Sequence, residues 1–193
     1  VLLEIILHLG TLVAILIYYR LEIKELFLGS FYGDIKNRKY VFYIFISMLP
    51  IGFVGVFFGD FIKLFFNPWS VCIALLINGM ILASTFFKHE KLDNELTLLI
   101  SFLIGIFQIF ALIPGISRSG ITISIALFLG IFHKEAAKFS FFLAIPGLLG
   151  AGLLQFINLD SYHNISLISL IFGFLSSAFM GYIVIDLLLK LIS

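Results

Sequence analysis

Residues 97–132 read TLLISFLIGIFQIFALIPGISRSGITISIALFLGIF, an apolar stretch broken at Pro114-Gly115. A helix crossing the hydrocarbon core of a bilayer needs about 20 mostly apolar residues. The stretch is too long for one such crossing, and neither piece has length to spare for a crossing of its own. Proline carries no N–H and clashes with the preceding turn, and glycine loosens the backbone, so a helix ends at this pair. The stretch is therefore expected to be a helical hairpin, with its second arm beginning near Ser117 to Ser119.

Outward from the hairpin, the same ruler finds apolar spans near 2–19, 41–59, 70–87, 139–157 and 166–188. The chain is 62% apolar and 12% charged, where an ordinary soluble domain is about half apolar and a quarter charged. A soluble fold of this length could not hide so much apolar surface from water. The expected fold is an all-α polytopic membrane protein, with about five spanning helices and one re-entrant helical hairpin over about 97–132. It reads as a single integral membrane domain over 1–193. The net charge of +1 says nothing useful about partners, and no Lys/Arg-rich run suggests nucleic acid, so no nucleic-acid partner is expected. Cys72, the single cysteine, rules out an intrachain disulfide and a thiolate metal cluster, and is expected to be a small buried hydrophobe. The chain starts at Val1 inside an apolar run, as the interior of a longer protein would.

Charge orients the spans. Lys and Arg concentrate on the cytoplasmic side, and connector 20–40 holds Arg20, Lys24, Lys36, Arg38 and Lys39. With that connector inside, Lys88 and Lys91 of connector 88–96 also fall inside, while connector 60–69 carries only Lys63 outside. A hairpin over 97–132 returns to the inside, where Lys134 and Lys138 of connector 133–138 stand, and leaves connector 158–165 outside without a Lys or Arg. A single kinked span would reverse everything after it, so charge favours the hairpin.

The chemistry gathers at the hairpin tip. Arg118 lies in the middle of an apolar hairpin, and an arginine at the centre of a membrane helix costs about 2.5–3.5 kcal/mol even on the lenient insertion scale. It must face a partner or a cavity, and no carboxylate lies within 97–132. Its partner is either an acid elsewhere or an anionic ligand. The surroundings favour the ligand. Irregular backbone at membrane depth is tolerated where it lines a cavity, and the second arm aims its first N–H groups and positive dipole end into the break. Ser117, Ser119 and Thr122 add hydroxyls. Gly115 and Gly120 allow close approach to the backbone, and Pro114 and Gln108 flank the same tip. Arg118 can clamp two phosphate oxygens with a planar fork that lysine lacks. Together these residues form an anion cradle. The competing readings are a tightly packed hairpin with Arg118 paired to a buried acid, and the broken helix of a carrier for a transported anion.

Elsewhere, Glu4 and His8 lie one helical turn apart and share a face. They could act as general acid and base or contribute to a metal site, or simply sit at the interface and in the bundle. Asp186 reads as interfacial, and His89, His133 and His163 read as solvated connector residues. Pro50 and Pro146 read as kinks, and Trp69 as an interface anchor.

The stretch from Gly105 to Ser124, with Pro114-Gly115-Ile116-Ser117-Arg118-Ser119-Gly120-Ile121-Thr122 at its centre, closely resembles a signature of the undecaprenyl-diphosphate phosphatases, the bacitracin-resistance family. The likeness continues at Glu135 to Pro146, at Leu64-Phe65-Phe66-Asn67-Pro68 and at Leu3 to Leu12. It implies a hydrolase of the bacterial cytoplasmic (inner) membrane that removes one phosphate from undecaprenyl diphosphate, regenerating the monophosphate carrier of cell-wall synthesis. It also implies an inverted-repeat fold of six spans and two re-entrant hairpins, a divalent cation (Mg or Ca), and a prenyl diphosphate lipid as partner, and it leaves a homo-oligomer open. By motif match, Arg118 would bind the diphosphate with Ser117, Ser119 and Thr122 around it. One departure is that the family's first signature, Glu-Gly-x-Thr-Glu-Phe-Leu-Pro-x-Ser-Ser-x-Gly-His, does not precede Leu3, and a final span is also missing. The metal ligands would lie in that signature, so the chain is expected to be a fragment that turns over little. The other membrane lipid-phosphatase class needs His and Asp after its Ser-Arg, and Ser119 to Leu129 contain neither. The alternative function is a transporter or flippase for an anionic prenyl-phosphate lipid.

Overall fold

The computed structural model describes residues 2–85, 94–157 and 166–191. They form helices α1 (Leu2–Tyr18), α2 (Arg20–Tyr32), α3 (Ile35–Phe57), α4 (Gly59–Lys63), α5 (Pro68–Thr85), α6 (Leu98–Gln108), α7 (Arg118–Phe128), α8 (His133–Ile157) and α9 (Leu167–Leu191), with no strand among the described residues. Helices α3, α5, α8 and α9 are each long and apolar enough to cross a bilayer, and α1 with α2 makes a fifth candidate, bent by 76°. The protein is an all-α, multi-pass membrane protein. The distribution of side chains agrees: large apolar residues such as Phe31, Phe45, Phe66 and Phe179 stand exposed, while Ser47, Asn78, Ser101, Gln108, Thr122, Ser124 and Ser140 are buried. Lipid gives no hydrophobic reason to bury a phenylalanine, so small and polar residues take the helix contacts instead.

The chain divides into two compact units, Val1–Asn37 with Ala144–Ser193, and Arg38–Leu143. In the first, α1 pairs with α9 along small residues. A Cβ on Gly10 would lie 2.6 Å from the Phe174 carbonyl, and one on Gly181 would lie 3.0 Å from Ala14 Cβ. Gly173, Ser177 and Gly181 repeat at four-residue intervals on α9, the spacing that lets membrane helices approach closely. Ser177 donates to the Leu7 carbonyl at 2.6 Å and lies 3.0 Å from Thr11 Oγ1. At the far end of the pair, Asp186 accepts Tyr18 O–H at 3.4 Å and pairs with Lys190 at 2.6 Å.

In the second unit, α3 packs on α6. Ser47 donates to the Ser101 carbonyl, and Gly105, one turn on, meets the Ser47 backbone so closely that a Cβ would collide with its O, Cα and C atoms. Gly105→Ala is therefore expected to destabilise the protein by about 1–3 kcal/mol, as overpacking against a rigid backbone does. An unchanged unfolding midpoint in detergent would refute that contact.

Some connectors are helical. Residues 20–40 hold α2 and the first turn of α3, because Leu, Glu, Lys and Arg are strong helix formers whatever their hydropathy. Gly33, with φ +95°, ends α2, and Asp34 caps α3 by accepting Lys36 N–H at 2.9 Å. Residues 133–138 are the first turns of α8 rather than a connector, and His133 opens that helix half-buried. Connector 60–69 contains the short α4, where Lys63, 2.7 Å from Asp60, holds that carboxyl below its usual range. Both side chains stand in the open, and such a pair contributes little. Cys72 is exposed, contrary to expectation, because the outer face of a spanning helix is an apolar setting without being an interior one. Lys88, His89 and Lys91 lie outside the described residues, as do 158–165 with His163.

Candidate active site

The expected hairpin is present. Thr97 caps α6 by accepting Ile100 N–H at 3.3 Å, and α6 runs on through a 3-10 turn, Ile109–Leu112. Ile113 is extended, with ψ 123°, as the residue before a proline tends to be. Gly115 then takes φ +100°, a left-handed conformation that glycine adopts without a Cβ penalty, and the chain turns back into α7. Residue 115 must also be small: a Cβ there would lie 2.7 Å from the Val71 carbonyl and 3.0 Å from Ala74 Cβ, both on α5. At the base, Ile131 N–H bonds to the Ala126 carbonyl and Gly130 N–H to that of Leu127, each at 3.0 Å. With Gly130 at φ +85°, this is a Schellman ending. Asn94 clasps it, donating its backbone N–H to Gly130 and its side-chain amide to Leu129 at 2.8 Å.

The start of α7 is built for a negative charge. Ser117 is the N-cap, and its Oγ accepts Gly120 N–H at 3.1 Å. The backbone N–H groups of Arg118 and Ser119 make no hydrogen bond among the described residues, as befits the first turn of a helix. Arg118 makes no ion pair among the described residues. Its guanidinium reaches the Leu143 carbonyl on α8 at 3.5 Å. A buried-acid partner for Arg118 is thus not found among the described residues, and a guanidinium with one long bond to a neutral carbonyl has most of its donors to spare.

The structure sorts the remaining residues by what their polar atoms already do. Ser119 is half-buried, and its hydroxyl makes no hydrogen bond among the described residues. Thr122 is buried, and its hydroxyl donates back to the Arg118 carbonyl at 2.8 Å. Its one proton is thereby used, so Ser140 Oγ, 2.7 Å away on α8, is the donor in that contact. Thr122 thus ties the first turn of α7 to α8. Thr122→Val, which keeps the shape and loses the hydroxyl, is expected to lower stability by about 0.6–1.7 kcal/mol, the range for interhelical hydrogen bonds in a membrane protein. A wild-type melting curve for this variant would remove the tie. Gly120 packs under Ser117, and a Cβ on it would lie 3.1 Å from Ser117 Cβ. Gln108 is fully buried; its Nε2 lies 3.5 Å from Met48 Sδ, and its Oε1 has no partner among the described residues. Pro114 forms the break itself.

Glu4 and His8 belong to the unit of α1 and α9. Glu4 is exposed and His8 half-buried, no hydrogen bond or ion pair links the two, and His8 Nδ1 has no partner among the described residues. Among the described residues no three His, Cys, Asp or Glu side chains come together to hold a metal ion. A residue that sequence reasoning missed is Asn78. It lies on α5, is 8% exposed, and accepts Ser117 N–H on its Oδ1 at 3.2 Å. The available signal was a lone amide in an apolar span, which membrane helices rarely carry without a use.

The family model described as "Bacitracin resistance protein BacA" matches residues 1–193. The chain belongs to the BacA family. Its relatives include a protein named undecaprenyl-diphosphatase from Methanococcus vannielii, 36% identical over 189 residues, which are 96% of this chain and 74% of the relative. Proteins of the same name from Acinetobacter baumannii (35% over 191 residues, 96% of this chain and 70% of the relative) and Buchnera aphidicola (37% over 199 residues, 99% and 74%) are similar to it as well. The BacA match spans both units, and the hairpin tip lies within it.

Proposed function

We propose that this protein hydrolyses undecaprenyl diphosphate to undecaprenyl phosphate and inorganic phosphate in the bacterial cytoplasmic membrane, recycling the lipid carrier of the cell wall. The observation that carries the reading is Arg118, a guanidinium without a carboxylate partner among the described residues, set on the first turn of a helix whose leading N–H groups are free. The terminal phosphate of a lipid diphosphate supplies the missing negative charge, and its isoprenoid tail suits a protein already sited in lipid. In the reaction a water oxygen bonds to the terminal phosphorus and gives up a proton to solvent, and the bond from phosphorus to the bridging oxygen breaks. The leaving prenyl phosphate keeps that electron pair. Arg118, the N–H groups of Arg118 and Ser119, and the Ser119 hydroxyl neutralise charge on the non-bridging oxygens, the usual dominant contribution in phosphoryl transfer. Ser117, Gly120 and Thr122 shape the turn that presents them.

A divalent cation, Mg or Ca, belongs to this reading on family resemblance, and no three His, Cys, Asp or Glu side chains gather among the described residues to hold one. The charge neutralisation assigned to Arg118 and the first turn of α7 does not involve it. The test is release of inorganic phosphate from undecaprenyl diphosphate in vesicles containing the full-length protein. Release is the expected result. Transfer of the lipid between leaflets with its diphosphate intact would instead make the protein a carrier.

A further inference from the structure

Asn78 is the most conspicuous polar group that the chemistry above leaves unused. It lies in the apolar run of α5, flanked by Ile77 and Gly79, and is 8% exposed. A side-chain amide offers two donors and a carbonyl oxygen with two lone pairs, and burying such a group without partners costs free energy. Among the described residues only one of its valences is used. Ser117 N–H is a donor, so the atom facing it must be the amide oxygen, and the 3.2 Å contact therefore fixes which way the amide is turned. The NH2 group then lies on the other branch of the same small group, and it makes no hydrogen bond among the described residues. The oxygen also lies 3.3 Å from where a Cβ on Gly120 would stand. The amide oxygen is thus held against the first turn of α7 at two points, Ser117 and Gly120, next in sequence to the free N–H groups of Arg118 and Ser119.

We propose that Asn78 is a substrate-positioning residue that grips the hairpin tip through its oxygen and offers its NH2 donors to the diphosphate headgroup. The assignment rests on the phosphatase reading of the same site and adds a neutral donor from a different helix. The two halves of the amide do different jobs. The oxygen sets the direction of the Ser117 peptide and so of the turn that carries Arg118. The nitrogen completes a ring of donors around the anion. It explains why α5 carries an amide at this depth, and why Gly120, against which that amide rests, has no side chain.

Two substitutions separate the halves. Asn78→Ala removes both and is expected to raise KM for undecaprenyl diphosphate by about tenfold, the size of one lost hydrogen bond to a charged group, with a smaller fall in kcat. Asn78→Asp keeps an oxygen for Ser117 N–H but replaces the donor nitrogen with a second, negatively charged oxygen. It is expected to keep a near-wild-type melting temperature, to raise KM further than Asn78→Ala does, and to weaken competitive inhibition by inorganic diphosphate in parallel. An Asn78→Asp protein with wild-type KM and wild-type inhibition by inorganic diphosphate would overturn the proposal, because a cap for Ser117 would then be all that the site needs. So would an Asn78→Ala protein whose KM is unchanged. If Asn78→Asp fails to fold, inhibition of Asn78→Ala and Asn78→Ser by inorganic diphosphate decides the matter: equal, undiminished inhibition in both sinks it. Absence of phosphate release from the wild-type protein would instead strike the phosphatase reading, and the two failures are thereby told apart.

Discussion

Arg118→Ala lowers kcat/KM for phosphate release by about 10²–10³-fold, the loss seen when a preorganised donor to a developing negative charge is removed. The size follows from the setting. Arg118 has no carboxylate partner among the described residues to share its charge with, so the substrate meets nearly all of it. Removing the side chain breaks one long bond to the Leu143 carbonyl, and the fold should tolerate that loss. The melting temperature is accordingly expected to stay close to wild type while activity collapses. Arg118→Lys restores a positive charge without the planar fork that grips two oxygens at once, so it recovers part of the activity and falls well short of wild type. Full activity in the lysine variant would show that a point charge suffices. Matched losses of stability and activity in the alanine variant would return Arg118 to a structural role.

Gly115→Val is the second large effect. The residue sits at φ +100° and presses on α5, so a valine there is both strained and crowded. The strain costs about 1–2 kcal/mol and the forced overlap with the Val71 carbonyl and Ala74 about 1–3 kcal/mol more. Gly33 is the control. Its φ is +95°, yet no described residue lies within 4 Å of a Cβ built on it, so Gly33→Ala carries the backbone term alone. Thermal unfolding in detergent should separate the two clearly, and phosphate release should fall only in the Gly115 variant. Equal stability of the two variants would mean that the tip does not rest on α5.

The parts of this fold that could be read in advance are those where one residue's covalent geometry decides the outcome. Pro114 and Gly115 break the helix by their own stereochemistry, and Ser117 caps the next one because its side chain reaches an N–H three residues on. Hydropathy likewise finds α3, α5, α8 and α9, since lipid solvates one kind of surface. It does not tell helix from coil where the residues are charged, and so α2 was hidden in what reads as a polar connector. Burial was misjudged at Cys72 because apolar surroundings and interior position coincide in water but not in a bilayer. Asn78 was out of reach for another reason: its partner, Ser117, is 39 residues away, and no local spacing marks a contact between two spans. The Glu4 and His8 pair shows the converse, since helical spacing places two side chains on a face without making them interact.

The pairing of α1 with α9 has a consequence for how the molecule comes into being. The stripe containing Gly10 and Ala14 meets its complement, Gly173 to Gly181, only after every intervening residue has left the ribosome. Until then, α1 lacks that complement. Arg38–Leu143, by contrast, is one uninterrupted stretch, and its hairpin and the helix beneath it can assemble while synthesis continues. Loop closure over such a distance is slow, so the pairing of α1 with α9 follows the assembly of Arg38–Leu143.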